Sequence, residues 1–412
     1  MKSWNFFVIL HFVMRKIVLT ILTLIALQPS GMAQLIPLLP SEYKNRLYLD
    51  FNRLYNYNRY ELSRWGLGLQ YDIALNSKRF NTLSLSGYAA YGYADERIKW
   101  GLKADLQSKL QHRSHSYVEF FHDLTPDGSR ILTNYQLAAF NATGSFMTRL
   151  FSDTYRLTLG FSCQASVSLT ECFELRLSRE RAMHYGTTLI YPPSYSDLKD
   201  LPYNDFLEGR LFMAYTPGLR GEFMAGIYGD IANSDLKKQA YLRLLLQYND
   251  EFCFSAFKLD LFAQGGFANS DAPYSRLFDL GGTWGSPIAL DRSLLTARPN
   301  EFVANLFALV NLKLATQKPL IRLESKLLAI GTAPSPFILC DAAWGKLGDN
   351  TGPSVPDKGI AEVGAGIDGI LVWGAVDWGG AVVYRLTSSS APYHLPDTKD
   401  NLTFLFTARL NL

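Results

Sequence analysis

From about residue 60 to the last residue, apolar and polar side chains alternate nearly one for one, and no stretch settles into a helical period. In 64–75 the apolar set is Trp65, Leu67, Leu69, Tyr71, Ile73 and Leu75, with Arg64, Gly66, Gly68, Gln70, Asp72 and Ala74 between them. In 97–107, Ile98, Trp100, Leu102, Ala104 and Leu106 oppose Arg97, Lys99, Lys103 and Asp105. Every odd residue of 155–169 is apolar, and 402–412 places Leu402, Phe404, Phe406, Ala408, Leu410 and Leu412 on one side. Successive side chains of a strand point to opposite faces, so a period of two means sheet with one apolar and one polar face.

Two architectures fit that pattern: a large soluble antiparallel sandwich with one wet face, and a barrel that crosses a membrane. The alternating runs exceed the usual strand of about five or six residues and match a tilted membrane crossing. Tyr91, Tyr93, Trp100, Tyr155, Trp378 and Tyr384 fall near run ends, where an interfacial aromatic girdle would sit. Only a closed sheet leaves no unpaired backbone in hydrocarbon. The sequence therefore predicts an all-β protein: a transmembrane antiparallel β-barrel of about sixteen strands.

Composition narrows the function classes. Lys+Arg 40 against Asp+Glu 37 leaves a net charge of +3, too balanced for a nucleic-acid footprint. Four cysteines (Cys163, Cys172, Cys253, Cys340) show neither CxxC nor Cys/His zinc spacing. His112 and His115 have no carboxylate or cysteine at ligand spacing, and no nucleophile elbow or HExxH occurs. A hydrolase at the barrel rim would need a Ser/His/acid cluster on neighbouring strands. No catalytic residue, cofactor or metal is expected, and the chain is read as a non-enzyme.

The N-terminus reads as an address. Met14-Arg15-Lys16, the apolar run 17–27 and Gly31-Met32-Ala33 form the charged, apolar and small-residue parts of a signal peptide. Met1 and Met14 both remain possible starts, and a membrane anchor is the competing reading of 6–27. The organisation expected is a signal peptide at 1–33, a short periplasmic segment at 34–59 and an outer-membrane barrel at 60–412.

Strands are expected at about 62–75, 82–94, 97–110, 116–124, 130–141, 151–169, 171–191, 205–216, 220–231, 238–249, 252–268, 301–314, 320–333, 359–372, 376–387 and 402–412. The long connections 192–204, 269–300, 334–358 and 388–401 all follow odd-numbered strands. Short periplasmic turns and long external loops then put both termini in the periplasm. Lys99, Lys103, Asp105, Arg322, Glu324, Lys326, Glu362 and Asp368 fall opposite the apolar faces and are expected to face the lumen. On the lipid side a Lys or Arg would cost about 2–4 kcal/mol at the midplane. They line a selective pore or form paired charges that stabilise the barrel. Loop 269–300 and residues 34–59 are candidate fillers of the lumen, and Gly281, Gly282, Gly285 and Pro287 suit a loop folded inward.

The segment Leu277-Phe278-Asp279-Leu280-Gly281-Gly282-Thr283-Trp284-Gly285 resembles the start of the inward-folded sixth external loop of BamA-type barrels. In that superfamily a Gly-Gly pair precedes a Val/Ile-Arg-Gly-aromatic tip. Here Trp284-Gly285-Ser286 takes that place, without the arginine. The family's tip arginine meets an aspartate on strand 13, and Ile338-Leu339-Cys340-Asp341-Ala342-Ala343-Trp344 resembles that aspartate's segment. The resemblance implies Asp341 as a loop partner and 337–346 as strand 13, against the 334–358 loop of the segmentation above. Stretches 51–61, 87–101, 278–282 and 361–386 also resemble a Bacteroidota family of outer-membrane proteins of unknown function.

Three functions follow. The resemblance implies a barrel that assembles, translocates or exports a protein or lipid. The polar lumen alone would suit a passive porin-like diffusion channel, and a rim cluster would suit an enzyme. The partners expected are outer-membrane lipid, the machinery that inserts the barrel and a protein or lipid passenger. A monomer is expected, with no nucleic-acid partner.

Overall fold

The computed structural model describes residues 35–38, 44–50, 53–58, 61–93, 95–109, 114–126, 151–182, 203–216, 222–230, 241–269, 272, 276–281, 294–297, 302–325, 330–346, 359–373, 376–386 and 402–410. The expected signal peptide, the strand at 130–141, Gly282, Gly285 and Lys326 lie outside them.

The elements are β1 (Leu35–Pro37), β2 (Arg46–Asp50), β3 (Tyr55–Asn58), β4 (Leu62–Ala74), β5 (Phe80–Gly92), β6 (Ile98–Ser108), β7 (His115–Pro126), β8 (Phe151–Gln164), β9 (Leu169–Ala182), β10 (Asn204–Tyr215) and β11 (Glu222–Asp230). They continue with β12 (Leu242–Cys253), β13 (Phe257–Ala268), β14 (Phe278–Asp279), β15 (Val303–Ala304), β16 (Leu306–Thr316), β17 (Leu323–Ser325), β18 (Ile330–Thr332), β19 (Ser335–Lys346), β20 (Ile360–Trp373), β21 (Val376–Arg385) and β22 (Leu402–Leu410). All but β14 and β15 belong to one sheet of 20 strands, with antiparallel pairing throughout. With β2 and β3 taken as one interrupted strand along β4, and with β1, β17 and β18 set aside, sixteen strands make the wall. The protein is an antiparallel transmembrane β-barrel, as the alternation requires.

Alternation decides which way each strand faces. On β4, Trp65, Leu67 and Leu69 are exposed while Arg64 is buried; on β6, Ile98 and Leu102 are exposed while Lys99 is fully buried. A soluble sheet would show the reverse, so the apolar face is the outer, lipid-facing one. On the inner face, four aromatic rings lie across a glycine of the neighbouring strand: Tyr88 on Gly101, Tyr117 on Gly160, Phe307 on Gly266 and Phe337 on Gly366. A Cβ on any of the four glycines would overlap its ring. Two of these tyrosines use the clearance to reach one strand further: Tyr88 donates to Asp123 at 2.6 Å, and Tyr117 donates to Glu174.

The structure redraws several boundaries. Residues 34–59, expected to precede the barrel, instead supply its first wall strand, and β1 pairs along the far edge of β2. β7 pairs directly with β8, so no wall strand at 130–141 stands between them. The expected strand at 320–333 is replaced by the short β17–β18 hairpin, and strand 13 of the wall is β19, the position the aspartate segment implied. The β8–β9 turn falls at 165–168 rather than at Thr170, which sets Ser162 opposite Cys172 and Cys163 opposite Glu171. The four cysteines are free. Counted with the new first strand, the short connections 75–79, 109–114, 165–168, 216–221, 254–256 and 374–375 lie at the end where β2 begins and β22 finishes, together with the longer 317–334 that carries the β17–β18 hairpin, whereas 59–61 and 93–97 are short connections at the opposite end.

Candidate functional site

The connection between β13 and β16 does not stay at the rim. Leu277, Phe278, Leu280, Leu294, Ala297 and Ala304 have no exposed surface. They pack in one apolar cluster with Leu245 of β12, Phe262 of β13, Phe307 and Leu309 of β16, Ala343 of β19 and Ile360 of β20. Within it, β14 pairs with β15, and the Gly281 N–H donates to Asp279 Oδ1 at 3.1 Å. Gly281 bridges Leu294, so the chain leaves and re-enters the cluster at one place. Burying a leucine or phenylalanine fully is favourable by about 1.5–3 kcal/mol each. The loop is thus folded inward, with Gly281 in its packed part; Gly282 and Gly285 lie outside the described residues.

Polar anchors hold the loop at two places on the wall. At the first, Arg276 donates to Glu180 of β9 and Glu208 of β10, both at 2.8 Å, and its guanidinium covers the Phe206 ring at 4.9 Å. Tyr241 also donates to Glu208, and Arg156 reaches Glu180 at 3.0 Å. Burial alone would lower the Arg276 pKa, but the charges of Glu180 and Glu208 outweigh it and hold the guanidinium protonated far above its ordinary range. At the second, Glu362 of β20 accepts the Leu295 N–H, the Thr296 N–H at 2.9 Å and the Thr296 hydroxyl at 2.5 Å. Arg385 of β21 donates to the Thr296 hydroxyl at 3.0 Å and to its carbonyl at 2.5 Å. Along the sheet, β11, β12, β13, β16 and β19 separate the two anchors, so the loop crosses the lumen as a tethered strap.

Glu362 thus serves the loop itself. Asp341 is buried beside it, facing Glu362 in the β19–β20 register and Asn311 in the β16–β19 register. Lys99 has no exposed surface and pairs with Glu61 at 3.1 Å and with Asp95. Glu61 also holds Arg64 at 2.8 Å, and Arg64 forks onto Asp123. Lys103 and Asp105 approach at 3.9 Å, and Lys103 lies 4.7 Å over the Tyr117 ring. Asp368 pairs with Lys313 at 2.5 Å. Arg322 is exposed just before β17, and Glu324 sits on β17, so neither belongs to a full-length wall strand. Residues the sequence did not single out, Arg276, Glu180, Glu208, Thr296 and Arg385, carry the tethering. Among the described residues no group of three or more His, Cys, Asp or Glu is placed to hold a metal ion.

No protein-family model matches the chain, and no curated protein does. Among solved structures, it is similar to BamA from Haemophilus ducreyi lacking POTRA domains 1–3, with a TM-score of 0.50 at 11% identity over 91% of this chain and 75% of that one. It is also similar to CdiB from Escherichia coli, with a TM-score of 0.49 at 12% identity over 90% of this chain and 63% of that one.

Proposed function

We propose that this protein, built on a BamA-like barrel, works in the outer membrane of a Gram-negative bacterium, in the assembly, translocation or export of a protein or lipid passenger. One observation carries the reading: the strap residues 276–281 and 294–297, joined at the Gly281–Leu294 bridge, are sealed by an apolar cluster and tied to the wall at Glu180/Glu208 and at Glu362/Arg385. A passive porin has no use for such a seal, whereas a gated barrel does. The pairing of Lys99, Lys103, Asp105 and Asp368 with neighbouring charges points the same way, since a selective pore would present them to solute. The end where β2 begins and β22 finishes is assigned to the periplasm with both chain ends, and residues 1–33 to a cleaved signal peptide. The chain is read as a monomer without catalytic chemistry, and its motifs fit the Bacteroidota family of outer-membrane proteins of unknown function.

Planar-bilayer conductance tests the reading. The unaltered barrel is expected to give a closed or flickering trace, and deletion of 276–297 to give a steady open one. A large ohmic conductance from the unaltered protein would instead establish the diffusion channel.

A further inference from the structure

The outer wall carries one feature that neither the strap nor a passenger explains. On the lipid-facing side of β5–β9 lies a groove of about 480 Å³, lined by Leu83, Leu106, Val118, Leu159, Phe161 and Phe173. Its floor is formed by Ala104 of β6, Ser116 near the start of β7 and the backbone of Gly160 on β8, flanked by these larger side chains. Val118, Leu159, Phe161 and Phe173 are each about half exposed, so the groove opens toward hydrocarbon and away from the lumen. An open, almost wholly apolar furrow along a membrane-facing wall takes a hydrocarbon chain.

At the rim directly beyond that furrow stand three cations. Lys78 and Arg79 occupy the β4–β5 turn, and Lys109 follows the end of β6. The two segments are tied together: the Lys109 N–H donates to the Arg79 carbonyl at 2.8 Å, the Lys109 ammonium to the Ser77 carbonyl at 2.9 Å, and the Ser108 hydroxyl to the Arg79 carbonyl at 3.2 Å. All three side chains are exposed, and none forms an ion pair with a described residue. The charged groups of the adjoining strands, Lys103, Asp105 and His115, pair with one another on the inner face. Lys109 lies three residues beyond the groove residue Leu106, and Arg79 four residues before Leu83. At about 3.3 Å per residue, both cations sit roughly 10–13 Å from the groove. That spacing suits a phosphate at the rim with its acyl chain running down the wall.

We infer that this face binds an anionic glycerophospholipid, with the phosphate held by Lys78, Arg79 and Lys109 and one acyl chain in the groove of β5–β9. The inference rests on the barrel fold and is independent of what passenger, if any, the strap admits. The charge complement supplies the headgroup preference, because clustered Lys and Arg at a membrane surface attract anionic lipid at about fivefold in affinity per residue. The groove supplies the requirement for a chain, which separates a lipid from a free phosphate ion.

Native mass spectrometry of the intact protein in neutral detergent tests this, with phosphatidylglycerol, phosphatidylcholine of the same chains, and inorganic phosphate as probes. The unaltered protein should retain phosphatidylglycerol in preference to phosphatidylcholine, and inorganic phosphate should not displace it. The triple variant Lys78→Gln, Arg79→Gln, Lys109→Gln should lose up to about a hundredfold of that preference. Ala104→Phe, which fills the groove and leaves the cations alone, should weaken both lipids together. The charge-keeping pair Lys78→Arg with Lys109→Arg should behave as the parent. Equal retention of the two lipids by the parent would overturn the proposal, as would an unchanged preference in the triple variant. Displacement by phosphate with no effect of Ala104→Phe would reduce the site to a simple anion patch, and overturn it equally.

Discussion

The inner face of the barrel is filled in two different ways. Along β4–β10 it is a layer of charge and aromatic rings. Arg64, Lys99, Asp123, Glu174, Glu180 and Glu208 interlock, and Tyr88 and Tyr117 bridge from strand to strand over glycines. Along β12–β20 it is mixed: Leu245, Phe262, Phe307 and Leu309 form an apolar patch buried against the strap, set among the buried polar residues Gln247, Gln264, Asn311, Asp341 and Glu362. Side chains that pair among themselves can line water, so the first half is complete without a cover. Apolar side chains facing water are not, and the patch in the second half requires the strap to exclude solvent. The lesson is that an apolar inner patch marks where a barrel's plug docks.

The largest test of this contrast is Arg276→Ala, which removes the tether between the two halves. It leaves Glu180 and Glu208 buried with less countercharge, and losing one partner of a buried pair costs about 3–5 kcal/mol. The expected outcome is a lower melting temperature, read by loss of the folded, fast-migrating gel band, together with frequent channel openings. If the variant stayed closed in bilayers while melting early, Arg276 would support the wall and not the strap.

The same contrast explains what could be read in the sequence. Strands of the charged half were plain because their polar faces had to break the apolar run at every second residue, as in 64–75 and 97–107. Strand β19 was hidden because Phe337, Leu339 and Ala343 turn apolar side chains inward while Ile338 and Trp344 turn outward, so the period of two disappears. The neighbouring 320–333 kept a partial alternation and drew the assignment instead. The first wall strand was missed at Arg53, which breaks the pattern of Leu47, Leu49, Tyr55 and Tyr57. There the ladder on β4 is interrupted, and Arg53 lies over the Tyr88 ring at 3.9 Å, close above Gly66 and Gly68. The β8–β9 turn was read through because Ala165, Val167 and Leu169 continue the alternation, although Val167 is almost fully exposed. For the strap, Gly281 and its neighbours pointed to an inward fold. Arg276 gave no local signal, because its meaning depends on carboxylates roughly 70 and 100 residues away, and those are brought together by the pairing of β9 with β10.

A smaller effect is expected in the charged half from Gly160→Ala. The added methyl would displace the Tyr117 ring and, with it, the hydroxyl that donates to Glu174. Overpacking of this kind costs about 1–3 kcal/mol. Because Tyr117 stands on β7, away from the strap's anchors on β9–β10 and β20–β21, the melting temperature should fall while bilayer traces stay closed. A variant that opened would show that the charged layer also bears on the seal.

The smallest effect is expected at Lys103, and it separates ornament from structure within the charged layer. Its ammonium stands 3.9 Å from Asp105 with about a quarter of the side chain exposed, and an ion pair of that geometry is worth about 0–1 kcal/mol. Lys103→Gln should therefore leave both melting and conductance within error of the parent. The contrast with Lys99 is the informative part. Lys99 has no exposed surface and pairs with both Glu61 and Asp95, so Lys99→Gln takes the ammonium from buried Asp95 and leaves Glu61 with Arg64, and should lower the melting temperature several times further. Two lysines four residues apart on one face of β6 differ in burial and in the closeness of their partners, and equal responses would mean that neither sets the strength of this layer.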